Sequence, residues 1–155
     1  MKAELRIIDD TNREAVELLE VSEQQKQYIA SNKKSLETSL EEEYCNIARP
    51  FAIYVDNQLV GFTMFAFELD SEDPNDRYWL WRFMIDQNLQ GKGYGFAALE
   101  KIIGYFKSQG ADHILLSTKE TNIPALSLYH TFQFTETGEL NEDEIILRLN
   151  LNPKE

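Results

Sequence analysis

Three glycines at alternate positions, Gly91, Gly93 and Gly95, stand in the run Gln90-Gly91-Lys92-Gly93-Tyr94-Gly95. An apolar stretch ends just before them at Ile85, and an amphipathic one begins just after at Phe96. Residues without a Cβ let backbone approach a ligand closely. The first N–H groups of a helix have no intrahelical partner and carry partial positive charge. A glycine-rich strand-to-helix junction is therefore an anion site suited to a pyrophosphate, and Lys92 adds a point charge. Two familiar phosphate loops are excluded by particular residues. A Walker A loop needs Ser or Thr after its lysine to hold magnesium, and Lys92 is followed by Gly93. A dinucleotide fingerprint, G-x-G-x-x-G, needs an acid at the end of the next strand. Here the third glycine comes one residue early, and Asp112 precedes the strand Ile114–Leu116 instead of following it. The loop also lies past the middle of the chain, which leaves no room for a doubly wound nucleotide domain after it.

The elements that must hold this loop read as strand, helices, strands, helix, strand, helix, strands. Tyr78–Ile85 is apolar and aromatic and predicts a central strand leading into it. Phe96, Leu99, Ile102, Ile103 and Phe106 fall on one helical stripe leading away, and Gly110 ends that helix. Ile114–Leu116 predicts a buried strand. Asn122 predicts the cap of a short helix with Pro124 in its first turn, and Phe134–Gly138 and Glu144–Leu149 a final hairpin. Upstream, Glu4–Ile8 predicts a strand. Thr11 with Glu14 has capping-box spacing, with Ala15, Val16, Leu18 and Leu19 as the apolar face; Ser22 and Gln25 repeat the device. Leu36, Leu40, Tyr44 and Ile47 predict a helix running to Pro50, with Glu37, Glu41, Glu42 and Glu43 on its other faces. Phe51–Val55 and Leu59–Leu69 predict a hairpin turning at Asp56, Asn57 and Gln58, with a bulge at Gly61. Asp70–Arg77 is a loop by composition.

The 155 residues suit one domain, 1–155, whose single core needs no staple. The lone cysteine, Cys45, and a start without a signal-like run predict a reducing, cytoplasmic setting. The apolar runs are too short and interrupted to span a bilayer. With 27 acidic against 15 basic residues, the formal net charge is −12. Such a surface argues against nucleic acid and anionic membranes as partners, and favours encounter with a cation; plain solubility is the other reading of the same charge. His113 and His130 lack partners at metal-ligand spacing, so no metal site is expected. Cys45 comes just after Glu41–Glu43, which oppose a thiolate.

The stretch Gln90–Gly95 matches the Q/R-x-x-G-x-G/A signature of the GNAT N-acetyltransferases. Asn122-Ile123-Pro124-Ala125-Leu126-Ser127-Leu128-Tyr129 resembles their second signature, Asn-x-x-Ala-x-x-Leu-Tyr. The separation and the element order also match, so the resemblance covers essentially the whole chain. Within the family the chain looks most like the bacterial spermine/spermidine acetyltransferases, through RFMID, QGKGYG, NIPALSLY and TGELNEDEIILRL. One departure is Gln133, where the family commonly has Gly.

The resemblance implies a mixed α/β, α+β-like fold: a central, twisted, mostly antiparallel sheet of about seven strands with helices on both faces. It implies direct transfer of the acetyl group of acetyl-CoA to a primary amine. The acceptor implied is a small cationic amine such as spermine or spermidine, with no metal and with room for a homodimer. Gln90, Gly91, Lys92, Gly93, Tyr94, Gly95 and Asn122 would contact the cofactor, as would the backbone of Phe83, Met84 and Ile85. Tyr129 would protonate the leaving thiolate, a task that suits a phenol; its alternative is a core aromatic beside Leu126. Glu68 is the first candidate for the base, with Asp70 and Glu41–Glu43 behind it. Trp79 and Trp81 alternate on one face, where they would wall an alkyl-ammonium site by cation–π contact or simply pack. Another acceptor (a protein N-terminus, a lysine or an aminoglycoside) and a non-catalytic acyl-CoA sensor remain the alternatives, and the retained Tyr129 speaks against the sensor.

Overall fold

Aromatic and β-branched runs form the strands of this chain, and their register joins them in one sheet. In the computed structural model, which describes residues 1–151, the strands are β1 (Ala3–Ile7), β2 (Ala48–Val55), β3 (Gln58–Phe67), β4 (Tyr78–Ile85), β5 (His113–Thr118), β6 (Thr135–Asn141) and β7 (Glu144–Asn150). Their order in the sheet is β1-β2-β3-β4-β5-β7-β6. Every neighbouring pair is antiparallel except β4 and β5. The helices are α1 (Arg13–Leu18), α2 (Asn32–Ser39), α3 (Tyr94–Ser108) and α4 (Ile123–Thr131).

The two-residue side-chain period of β3 divides the core between the faces of the sheet. Phe62 and Met64 pack with Val16 of α1 and Leu36 of α2. Phe65 and Phe67 pack with Leu99, Ile102 and Phe106 of α3 and Tyr129 of α4. Helices thus cover both faces, as the resemblance implies. No described helix is long and apolar enough to cross a membrane.

Local chemistry explains the joints. The β2–β3 turn is made by Asp56 (φ 50) and Asn57 (φ 69), both left-handed, as a type I′ hairpin requires. The register then shifts between Ile53 and Tyr54, because Ile53 faces Gly61 and Tyr54 faces Leu59. The bulge therefore lies beside Gly61, where the sequence puts it. Gly61 has a second use: a Cβ there would collide with the Met84 carbonyl oxygen of β4. Helix α3 closes on Gly110 (φ 84), with the Gly110 N–H donating to the Lys107 carbonyl at 3.0 Å and the Ala111 N–H to the Phe106 carbonyl at 3.1 Å. The same closure ends α4 with Gln133 in the glycine position at φ 74, so the turn is kept despite the departure in sequence.

Several expectations are corrected. Helix α2 stops at Ser39, and Leu40 is exposed; residues 41–47 form turns, so Glu41–Glu43 are not helical. Pro50 sits inside β2, one residue beyond the end of β1's register, where that flank of the strand is open. Thr11 does not cap α1: the cap position is Asn12, whose Oδ1 accepts from the Asp9 N–H at 2.9 Å. Leu18 and Phe96 are exposed instead of facing the core. Ser22 and Gln25 keep half of their device, the Ser22 N–H donating to Gln25 Oε1 at 3.4 Å.

Candidate active site

Strands β4 and β5 run parallel but share one register pair, Trp79 with Leu115. Beyond it they part. A second bulge drives the separation: Met64 faces Arg82 and Phe65 faces Leu80, so Trp81 is the extra residue in β4. A bulge bends its strand and leaves a residue unpaired. Here it also brings two successive side chains to one face. Trp81 packs on the α1/α2 cluster and against Tyr44 at 5.2 Å between ring centroids, and Arg82 Nε donates to Ser35 Oγ of α2 at 3.2 Å.

The parting strands open a cleft of about 1160 Å³. Its walls include Leu80–Ile85 on β4, Leu116–Thr118 on β5, and Gln90, Gly91 and Gly95 at one end. Asn122, Leu128 and Tyr129 line it from α4 and the turn before it. Lys92, Gly93 and Tyr94 do not line it. Gly91 (φ 77) and Gly93 (φ 87) are left-handed, which is why they are glycines. Gly95 is not left-handed, and a Cβ there would meet only Leu128 Cδ2 at 3.6 Å and Ile85 Cγ1 at 3.9 Å.

Helix α3 starts at this loop without a side-chain cap and without an acid in its first turn. Its first N–H groups are left to an external acceptor, and the backbone turn before them adds a concave array of the kind that holds anions. Gln90 has a different job. Its Nε2 donates to the Ile85 carbonyl at 2.8 Å and to Gln25 Oε1 at 3.0 Å, so it pins the loop to the end of β4 and to the segment before α2. That segment crosses the cleft as a strap. Glu20 holds one end, its N–H donating to Asp86 Oδ1 at 2.9 Å. At the other, the Tyr28 hydroxyl lies 3.2 Å from both the carbonyl and the hydroxyl of Thr121.

Asn122 occupies the cap position of α4, yet its side chain makes no capping bond. It lines the cleft instead. The ring of Tyr129 is buried against Phe134, 5.6 Å between centroids. Its hydroxyl makes no hydrogen bond to a described residue, and burial pushes its pKa well above the ordinary phenol value. The hydroxyl therefore carries its proton where it lines the cleft, although burial makes it a weaker acid than a free phenol.

Glu68 directly follows β3 at the other end of the cleft, half-buried. Burial and then repulsion from Asp76 push its carboxyl above the ordinary range. Asp76 itself accepts from Trp79 Nε1 at 3.0 Å. The phenol of Tyr44 is pushed up by nearby carboxylates, Glu43 first and Glu41 and Glu68 after it. Carboxylates and aromatic faces are thus brought together at this rim by the turn before β2, the residue after β3, and the stretch from Asp76 into β4. Among the sequence candidates, neither Asp70 nor Glu41–Glu43 line it. Arg82 and Glu144 lie within the RFMID and TGELNEDEIILRL stretches, yet as site residues they, like Asp76 and Tyr44, are revealed only by the bulge and the cleft.

The chain matches the family model described as the acetyltransferase (GNAT) family over residues 8–134. It is 38% identical over 144 residues to the spermine/spermidine N(1)-acetyltransferase of Bacillus subtilis strain 168, covering 91% of this chain and 93% of the relative. The fold is similar to that of spermidine N-acetyltransferase from Vibrio cholerae, solved with CoA and spermine, with a TM-score of 0.70 at 19% identity, covering 97% of this chain and 95% of the other. It is also similar to an N-acetyltransferase from Thermoplasma acidophilum in complex with coenzyme A, with a TM-score of 0.68 at 16% identity, covering 97% and 100% of the two chains.

Proposed function

The chain belongs to the acetyltransferase (GNAT) family and is an acyl-CoA-dependent N-acetyltransferase; from that premise we propose that it acetylates a primary amine of a polyamine such as spermine or spermidine. One observation carries the acceptor. The rim that gathers Glu68 and Asp76 also presents Tyr44, Trp79 and Trp81. A flexible polycation is recognised by spaced carboxylates and by aromatic faces. The relatives named for spermine and spermidine agree with this reading.

The residues fit acetyl-CoA. Its phosphates suit the left-handed glycines Gly91 and Gly93 and the uncapped start of α3, with Gln90 fixing the loop, Lys92 adding charge, and Tyr94 and Gly95 supplying helix N–H groups. The backbone of Phe83, Met84 and Ile85, on the unpaired flank of β4, suits an extended chain that carries amides. Asn122 offers an uncommitted side-chain amide beside it. When bound, acetyl-CoA supplies the acetyl thioester. The chain's own residues do the rest. Glu68, with its raised pKa, takes the proton of the incoming ammonium. Tyr129 holds a proton at its hydroxyl for the departing thiolate.

The test is a panel of amines with acetyl-CoA, reading free thiol release. Spermidine is expected to turn over, with a specificity constant that falls as salt rises, because exposed carboxylates are screened within about 10 Å at 0.1 M. Turnover of a peptide or a monoamine alone, indifferent to salt, would remove the polyamine reading and leave the acetyltransferase intact.

A further inference from the structure

Arg82 lines the cleft at the β4 bulge, with most of its side chain out of water. Its Nε donates to Ser35 Oγ at 3.2 Å and its Nη1 to the Trp81 carbonyl at 3.1 Å. Of the five N–H groups of a guanidinium, three therefore have no partner among the described residues. The guanidinium carbon stands 5.0 Å from the centroid of the Trp81 ring. None of the ion pairs among the described residues involves Arg82. A charge taken out of water is ordinarily paired with an opposite charge, and this one is not. Its backbone is fixed as well, because its carbonyl accepts from the buried Thr63 hydroxyl at 2.7 Å.

We infer that Arg82 is a specificity-determining residue of the acceptor site: its unpaired positive charge makes the middle of the cleft hostile to an ammonium, so that the reacting nitrogen is held there as the neutral amine while the other cations of the acceptor lie at the carboxylate rim. This rests on the amine acetyltransfer reading above. A free alkyl amine has a pKa of about 10.4, so fewer than about one in a thousand is neutral at pH 7. One charge at about 10 Å in an effective dielectric of about 20 shifts that balance by about one pKa unit. Arg82 immediately precedes the β4 segment assigned to the acyl donor, which puts this bias at the point of transfer. Glu144 of β7, bonded to Ser117 at 2.8 Å, is the charge that opposes it. Tyr129 faces the cleft from α4, and Tyr44, Glu68 and Asp76 from the rim. Lys26 and Tyr28 face it from the strap.

The test is the pH dependence of kcat, which reports groups in the substrate complex. It is run on whichever primary amine the wild type acetylates, so that loss of the polyamine reading leaves it intact. For wild type, the acid limb that tracks the amine should lie about one pH unit below the amine's own pKa, for each of several amines of graded basicity. In Arg82→Gln, or in Arg82→Met (which keeps the stem's packing on Trp81), that limb should move up by about one unit. Turnover at pH 7 should fall about tenfold and recover toward wild type in alkali. Arg82→Lys should keep the wild-type limb. A limb that coincides with the free amine's pKa in wild type, or a folded neutral variant that loses turnover equally at every pH, would overturn the inference.

Discussion

Trp79 faces Leu115 as the single register pair, among the described residues, between strands β4 and β5. The two parts of the sheet are otherwise held together by packing around α3, and the flanks beyond this pair have no strand to bond. An acyl-CoA lying in the split should join them. Amide exchange of Phe83–Ile85 and Leu116–Thr118 is expected to slow when acetyl-CoA is added. The melting temperature should rise by mass action, by about 2.7 kcal/mol of added stability at 100 times the dissociation constant. Unchanged exchange in both segments would place the ligand elsewhere.

The glycines of the loop should differ in tolerance. Gly93→Ala puts a side chain at φ 87, a strain of about 1–2 kcal/mol, so the apparent acetyl-CoA constant should rise about tenfold or more. Gly95→Ala meets only ordinary contacts, and its constant should stay within about twofold. Steady-state kinetics of the pair decide it; equal effects would mean that backbone conformation is not what the loop contributes.

Tyr129→Phe is expected to lower kcat about 100-fold with the acetyl-CoA constant nearly unchanged. The raised phenol pKa adds a second readout. A group whose folded pKa lies above its unfolded value of about 10 stabilises the fold below that pH and loses the contribution as pH rises through the folded value. Wild type should therefore lose stability above about pH 10 more steeply than the phenylalanine variant, as urea midpoints measured against pH would reveal.

Asp76 tunes Glu68. Removing its charge in Asp76→Asn relieves the repulsion, so the Glu68 pKa falls and the acid limb of kcat/KM moves to lower pH. Glu68→Gln should abolish that limb and most of the activity. A limb that ignores Asp76→Asn would assign the base to another group.

Gln133 holds a glycine conformation at φ 74 after α4. Gln133→Gly should stabilise the protein by about 1 kcal/mol and raise its Tm by about 2–4 °C, with kinetics unaltered. Calorimetry that shows no gain would mean the turn is relaxed with glutamine.

The cofactor end of the site was legible in the sequence because its chemistry is local. Left-handed glycines, a helix start and a short signature all lie within a few residues, so Gly91, Gly93 and Asn122 stood out directly. At the proposed acceptor end only Glu68, Trp79 and Trp81 were legible. Tyr44, Asp76, Arg82 and Glu144 meet only because a bulge at Trp81 and a helix that stops at Ser39 bring distant segments together. The helical spacing of Leu40, Tyr44 and Ile47 misled for the same reason: Tyr44 packs on Trp81 from a turn, and tertiary contact outweighs periodicity. Strand boundaries held where apolar runs were bounded by turn residues, as at Tyr78–Ile85.

Gly61 faces no ligand and lies on β3, yet any side chain there would strike the carbonyl of Met84. Met84 belongs to the strand whose free flank borders the cleft. Substitution at position 61 would therefore push on the site from behind, through one strand, and packed interiors transmit such a push. Sequence drift in this chain is thus constrained beyond the cleft's own lining: residues that touch the ligands can be exchanged for others of like chemistry, whereas at position 61 only the absence of a side chain will serve.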